Sequence, residues 1–408
     1  VPSALLSFAA LALAGALFGT PPQSPAPLPL TGRLVHVATE PQLQNAIRNI
    51  ASNTTIVLAP GTYHLTRTLA IDGAFSNVVI RGATGDRDAV VLAGNGMTRA
   101  NDSVQFGIWT GGGVEGVTIA NLTIRDVPYH AIIFNAGTQK PHVFNVHLVD
   151  AGQQFIKSNP DGRGGGVNGG IVEYSLIEYT TKAKDGYTNG VDVHTGARWI
   201  VRHNLFRNIV APNGLAGPAV LIWNRSTGTI TEGNQFVNCA RGVSYGLQDV
   251  KGFDHAGGII RNNYFFRAAN QPGDAAILVA DSPDTQVVNN TVFVSGTYRT
   301  PIEYRFAGTT GTMIVNNITD GAIAARDGAS ATRRTNIEGA DGRLFVNALA
   351  GDLHLAATAA TAIDHGSPIA EVTDDWDGDP RPIGGGFDIG ADERRQGAGG
   401  DLRPKTTK

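Results

Sequence analysis

One pattern runs through the middle of the chain and limits what it can fold into. A short β-branched run, a polar residue (usually Asn) and a second short apolar run recur at Asn121, Asn145, Ser175, Asn204, Asn234, Asn263, Asn290 and Asn317, about 24 to 30 residues apart. Ile200-Val201-Arg202-His203-Asn204-Leu205-Phe206 and Ile259-Ile260-Arg261-Asn262-Asn263-Tyr264-Phe265 are two copies. A solenoid coil with three strands of roughly four to six residues, plus turns, needs this length. Helical repeats are excluded because the segments are β-branched and Gly-punctuated, without helical periodicity. A propeller blade would need about 40 residues or more. The pattern therefore predicts an all-β, right-handed parallel β-helix of about seven clear coils plus flanking ones. The markers are expected to stack as a side-chain ladder at a sharp bend, where Asn tolerates left-handed backbone. That role is structural.

Composition agrees with many short strands and tight turns: 52 glycines in 408 residues, and only 16% charged residues. A net charge of -3 gives no basic footprint, so nucleic acid is not an expected partner. The apolar run from Ala4 to Phe18 predicts a signal peptide over residues 1–20, followed by a Pro-rich linker over 21–34. Export, with no membrane attachment after cleavage, is the corresponding expectation. Cys239 is alone and is read as packing, so stability must come from stacking. Residues 35–330 form the solenoid, 331–393 looser coils and a closing segment, and 394–408 a disordered tail. Leu43, Ala46, Ile47 and Ile50 share one face of a helix placed to cover the first coil. With both ends blocked against stacking, a monomer is expected.

The segment Leu43-Gln44-Asn45-Ala46-Ile47, followed by Ile56-Val57-Leu58-Ala59-Pro60-Gly61-Thr62-Tyr63, resembles the entry of pectate-lyase-like β-helix proteins. Asp375-Trp376-Asp377-Gly378-Asp379-Pro380-Arg381-Pro382, running into Asp388-Ile389-Gly390-Ala391-Asp392-Glu393, is similar to the closing segment of many secreted bacterial β-helix proteins. With the repeats, the resemblance spans residues 35 to 393. It implies fold and export. It does not choose among the lyases, glycosidases, epimerases, esterases and non-catalytic adhesins of that superfamily.

Aligning one strand per coil gives a register. Ile132-Ile133-Phe134-Asn135 is set against Phe155-Ile156-Lys157-Ser158, Val191-Asp192-Val193-His194, Leu221-Ile222-Trp223-Asn224, Val243-Ser244-Tyr245-Gly246, Ile277-Leu278-Val279-Ala280 and Ile302-Glu303-Tyr304-Arg305. The first and third columns are apolar and face inward, so the second and fourth face solvent. Ser158, His194 and Asn224 then become outward neighbours about 4.8 Å apart, with Asp192 beside them. Lys157 interrupts the inward third column; either a bulge turns it outward or the coil is misaligned. The following turns add Asn159, Asp161, Arg163, Arg225, Gln248, Asp249, Lys251, Asp254 and His255, placed to wall a groove.

An extended, exported face of this kind suits an extended polysaccharide. On an acidic one, β-elimination needs a cation against the uronate carboxylate, a base for the C5 proton and an acid for the leaving oxygen. Lys157, His194, Arg163 and Arg225 are the candidates, with Asp192 in the catalytic group. Ser158, Asn224, Asp249, Lys251 and His255 are candidate substrate contacts. Trp199 and Tyr187 either stack on sugar rings or simply pack, and Trp223 is read as core. Asp192, Asp185 and Asp249 offer hard oxygen ligands suited to Ca²⁺, although no motif fixes a metal. The bland readings are a solvated sheet face around Asp192 and His194, an Arg225–Asp192 ion pair, and ordinary turn charges at 249–255. A glycosidase would need two carboxyl groups about 5 Å or ~6.5–9.5 Å apart, for which Asp192 with Asp249 or with Asp185 is a candidate pair, although the polygalacturonase pattern of clustered Asp with Gly-His-Gly and Arg-x-Lys is absent as a set. A non-catalytic carbohydrate-binding protein is the third reading.

Overall fold

In the computed structural model, which describes residues 25–99 and 103–395, the chain winds into three parallel sheets of twelve, eleven and ten strands. The expected signal peptide, and the tail beyond residue 395, lie outside the described residues. Each coil gives one strand to each sheet in turn. Ile200–Arg202 joins the twelve-stranded sheet, Leu205–Arg207 the eleven-stranded one and Val220–Trp223 the ten-stranded one. The fold is a right-handed parallel β-helix, as the repeat predicts.

The polar markers sit at the corner between the twelve- and eleven-stranded sheets, and their ladder is real. Asn204 Nδ2 donates to Asn234 Oδ1 at 3.0 Å, Asn234 to Asn263 at 3.0 Å, Asn263 to Asn290 at 2.9 Å and Asn290 to Asn317 at 3.0 Å. Each of these amides also donates to a backbone carbonyl, so the buried groups are satisfied. The corner has two positions. Asn121 and Asn145 occupy the first, which carries the left-handed backbone (φ 53° and 50°). From Ser175 onward the marker occupies the second, and the preceding residue (Tyr174, His203, Gly233, Asn262, Asn289 or Asn316) takes the positive φ. Inside, Phe206, Phe236 and Phe265 stack face to face with centroids 5.0 and 4.5 Å apart, close to the inter-coil spacing.

The helix Glu40–Arg48 forms where predicted, with Thr39 accepting from Gln42 N and with Leu43 and Ile47 buried. It lies against the first strands of two sheets, Arg33–Val37 and Leu69–Asp72. No helix among the described residues is long and apolar enough to cross a membrane.

Beyond the repeats the chain turns back along the solenoid. Leu205, Val237, Tyr264 and Phe293, on the outer face of the eleven-stranded sheet, are buried in one cluster with Phe345, Leu353, Leu355 and Ile389. Corner asparagines tie the returning segment down: Asn262 Nδ2 donates to Asp374 O, Asn289 Nδ2 to Asp388 O and Asn316 Nδ2 to Ser367 O. Arg394 and Arg395, expected to begin a free tail, are held instead. Arg394 Nη1 donates to Leu355 O and Arg395 pairs with Asp379.

Candidate active site

Three adjacent strands of the ten-stranded sheet build the site: Ile156–Ser158, Val191–His194 and Val220–Trp223. Lys157 stands opposite Asp192, Ile156 opposite Val191, and His194 opposite Trp223. Two coils of the sequence alignment are thus shifted by one residue. Lys157 is no exception to an inward column; it belongs to the outward column of Asp192. The correct inward pair on its strand is Ile156 and Ser158, both fully buried. Trp223, read as core, is outward. The run Ala219-Val220-Leu221-Ile222-Trp223 has no polar alternation, so it does not reveal which residues face in.

Register brings the side chains into one cluster. Lys157 Nζ lies 2.5 Å from Asp192 Oδ2 and 2.7 Å from His194 Nε2, and His194 Nε2 lies 3.4 Å from Asp192 Oδ1. Trp223 Nε1 donates to Asp192 Oδ1 at 2.9 Å, while the His194 and Trp223 rings meet edge to face at 4.6 Å. Burial pushes the Asp192 carboxyl up. The hydrogen bond from His194 and the charge of Lys157 outweigh it and hold the group below its ordinary range. Asp192 is therefore an anion with donors on both oxygens. The ring of exposed Tyr187 lies 5.8 Å from Lys157 Nζ.

His130, which the register did not single out, flanks this cluster. Its Nδ1 lies 3.0 Å from Gln154 O, so Nδ1 carries the hydrogen and Nε2 the lone pair. Burial, with the nearby charge of Lys157, pushes its imidazole down to about 4, against the raising pull of Asp192. A neutral histidine thus neighbours the ion cluster. The only sequence signal for it was its place at the start of the strand one coil before Lys157.

Several expected contacts are overturned. Ser158 points inward, and its buried hydroxyl has no hydrogen-bond partner. Trp199 is fully buried against Phe134, its Nε1 donating to Val167 O, so it packs rather than stacks on sugar. His255 is enclosed between Ser282 Oγ at 2.9 Å and Thr229 Oγ1 at 3.2 Å, under the Tyr245 ring. Burial pushes its imidazole down to about 3. Asn224 and Arg225 leave the strand in left-handed backbone, φ 56° and 68°. Their backbone nitrogens are bound by Asp254, whose carboxylate also takes Leu247 N and Gln248 N.

Arg225, Arg163, Asp249 and Lys251 are exposed on turns that leave this sheet, with Asp161 ordering the turn that carries Arg163. The calcium set fails. Asp192 already receives N–H donors on both oxygens, and Asp185 accepts from Tyr187 N. Among the described residues, the one group of His, Cys, Asp or Glu whose ligand atoms converge is His354, Asp377 and Asp392, in the closing segment.

No family model and no curated protein matches the chain. Among solved structures, the chain is similar to an alginate lyase from Paenibacillus sp. str. FPU-7, with 18% identity, a TM-score of 0.53, and coverage of 74% of this chain and 99% of that one. It is also similar to the pectate lyase Pel9A, with 14% identity, a TM-score of 0.57, and coverage of 90% and 97%. A third likeness is to the catalytic unit of a GH87 alpha-1,3-glucanase from Streptomyces thermodiastaticus strain HF3-3, with 16% identity, a TM-score of 0.50, and coverage of 77% and 65%. These likenesses agree with the parallel β-helix fold and leave chemistry to the site.

Proposed function

We propose that the chain is an exported carbohydrate-active enzyme, a polysaccharide lyase or related epimerase that removes the C5 proton of an acidic polysaccharide. The observation that supports this reading is the Lys157 amine held between Asp192 and His194 on the outward face of the central coils. Across the 2.7 Å contact between Lys157 Nζ and His194 Nε2, one nitrogen donates a hydrogen and the other offers a lone pair. Released from that contact as substrate binds, the lone pair, beside an anionic Asp192, would be the base that C5-proton abstraction requires.

As the C5–H bond breaks, its electron pair forms the C4=C5 bond, and the C4–O glycosidic bond breaks with protonation of the leaving oxygen. An epimerase would instead return a proton to C5 from the other face. Arg225, Arg163 and Lys251 on the surrounding turns supply cations for the uronate carboxylate, and Tyr187 offers an exposed ring to a sugar. The glycosidase reading loses ground, because Asp192 is engaged by Lys157 and Trp223, and Asp185 and Asp249 lie on separate turns. The likeness to an alginate lyase and a pectate lyase is compatible with this reading at the level of fold, and the glucanase shares that fold, so the choice rests on the site.

The test is incubation with a panel of uronate glycans. A rise in ultraviolet absorbance from the new unsaturated uronate is expected. New reducing ends without absorbance would mean a hydrolase, and binding without either would mean a carbohydrate-binding protein.

A further inference from the structure

We propose that the closing segment carries a second site, for a divalent first-row transition ion such as Zn²⁺, built by His354, Asp377 and Asp392. It lies apart from the Lys157 cluster and does not depend on the lyase reading. One ligand atom from each of the three residues lies within 4.8 Å of the others.

The group is oriented as a metal-ligating histidine usually is. Asp352 Oδ1 sits 2.6 Å from His354 Nδ1, which fixes the hydrogen on that nitrogen and leaves Nε2 facing Asp377 Oδ2 at 3.1 Å. Asp392 is almost fully buried and is pinned through Oδ2, which accepts from Leu355 N at 2.7 Å. His354 and Asp377 remain partly exposed, which gives an ion a path in.

Tyr264 supplies an independent observation. This residue is only 3% exposed, yet its hydroxyl has no hydrogen-bond partner. Its ring touches those of His354, at 5.5 Å, and Trp376, at 5.1 Å. The carboxylates of Asp392, Asp377, Asp375 and Asp352 all lie close enough to act on that hydroxyl. An unmet buried hydroxyl is destabilising, and an ion or its bound water would meet it. An imidazolium bridging Asp352 and Asp377 would satisfy His354 alone and leave Tyr264 unanswered.

The donor set selects the ion class. One imidazole nitrogen with two carboxylates suits a borderline ion, whereas Ca²⁺ wants about six to eight oxygens. Bound there, the ion would clip the strand Asp352–Leu355, the turn at Asp377 and the segment at Asp392 onto the solenoid strand that carries Tyr264.

The experiment uses the full chain, stripped with a chelator and dialysed, then titrated with Zn²⁺ and separately with Ca²⁺. Calorimetry and thermal unfolding are the readouts. Stoichiometric Zn²⁺ binding and a rise of several degrees in unfolding temperature are expected, both lost in His354→Gln and Asp377→Asn. Asp377 is exposed, so its variant should keep the wild-type circular dichroism without metal. Asp352→Asn should weaken Zn²⁺ by about 10–100-fold. No response to Zn²⁺, a Zn²⁺ response that His354→Gln retains, or an equal response to Ca²⁺ would each overturn the proposal.

Discussion

Two outer faces of the same solenoid each bury an ion pair, and the pairs differ in how completely their hydrogen bonds are filled. On the eleven-stranded side, Arg381 and Glu393 have fully buried side chains and lie 2.8 Å apart. Arg381 also donates to the carbonyls of Asp374, Asp388 and Gly390, and Glu393 accepts from Ile383 N and Asp388 N. On the ten-stranded side, Lys157 and Asp192 are nearly as buried, but their third partner is an ionisable, partly exposed histidine. A saturated pair can only hold chain segments together. A pair in contact with a partly exposed histidine keeps a polar face toward solvent, which is where the proposed chemistry would take place.

The comparison is broken most directly at Lys157. Lys157→Ala and His194→Ala should each lower elimination activity by about 10²–10⁴-fold in the ultraviolet assay, with the solenoid still folded by circular dichroism. Equal activity in both variants would return the cluster to a structural role. Arg381→Ala should do the reverse. It leaves Glu393 buried without its partner and costs about 3–5 kcal/mol in denaturant unfolding, while activity per folded molecule persists. Asn263→Ala, which strands the amide partners of two coils, should cost about 1–3 kcal/mol and leave activity unchanged.

The smallest effect concerns acid. His130 and His255 are pushed down by burial to about 4 and about 3, below their ordinary 6.5. A lowered histidine contributes stability that is complete above its unfolded value and is lost as pH falls through the folded one. Denaturant midpoints should therefore fall between about pH 6.5 and pH 3, and His255→Gln should flatten that limb.

The solenoid was legible because its repeat is a physical period: each corner needs a polar side chain that bonds the next coil. Asp192 and His194 were legible because two polar residues spaced two apart interrupt an apolar strand. Lys157 was found but misplaced, since Phe155-Ile156 offered two apolar residues where only Ile156 follows the strand's phase. Trp223 was lost in an unbroken apolar run, Trp199 was left open between stacking and packing, and His255 was placed on the surface because it follows the strand in a polar turn. The fold-back of the closing segment left no sequence signal, because apolar residues outside the solenoid look the same as those inside it.

That fold-back sets an order of events. Corner bonds such as Asn145 to Asn121 and Asn204 to Asn234 join residues 24 to 30 apart, so coils can add one upon another as the chain grows. The bond from Asn262 to Asp374 spans 112 residues, and that from Thr291 to Ala391 spans 100. Until those residues emerge, Leu205, Val237, Tyr264 and Phe293 face water as a greasy strip along a finished solenoid. Pulse-labelled hydrogen exchange during refolding should show the corner amides protected before those of Leu355 and Ile389. A solenoid whose closing segment has not yet docked is therefore expected to be the form most prone to aggregate.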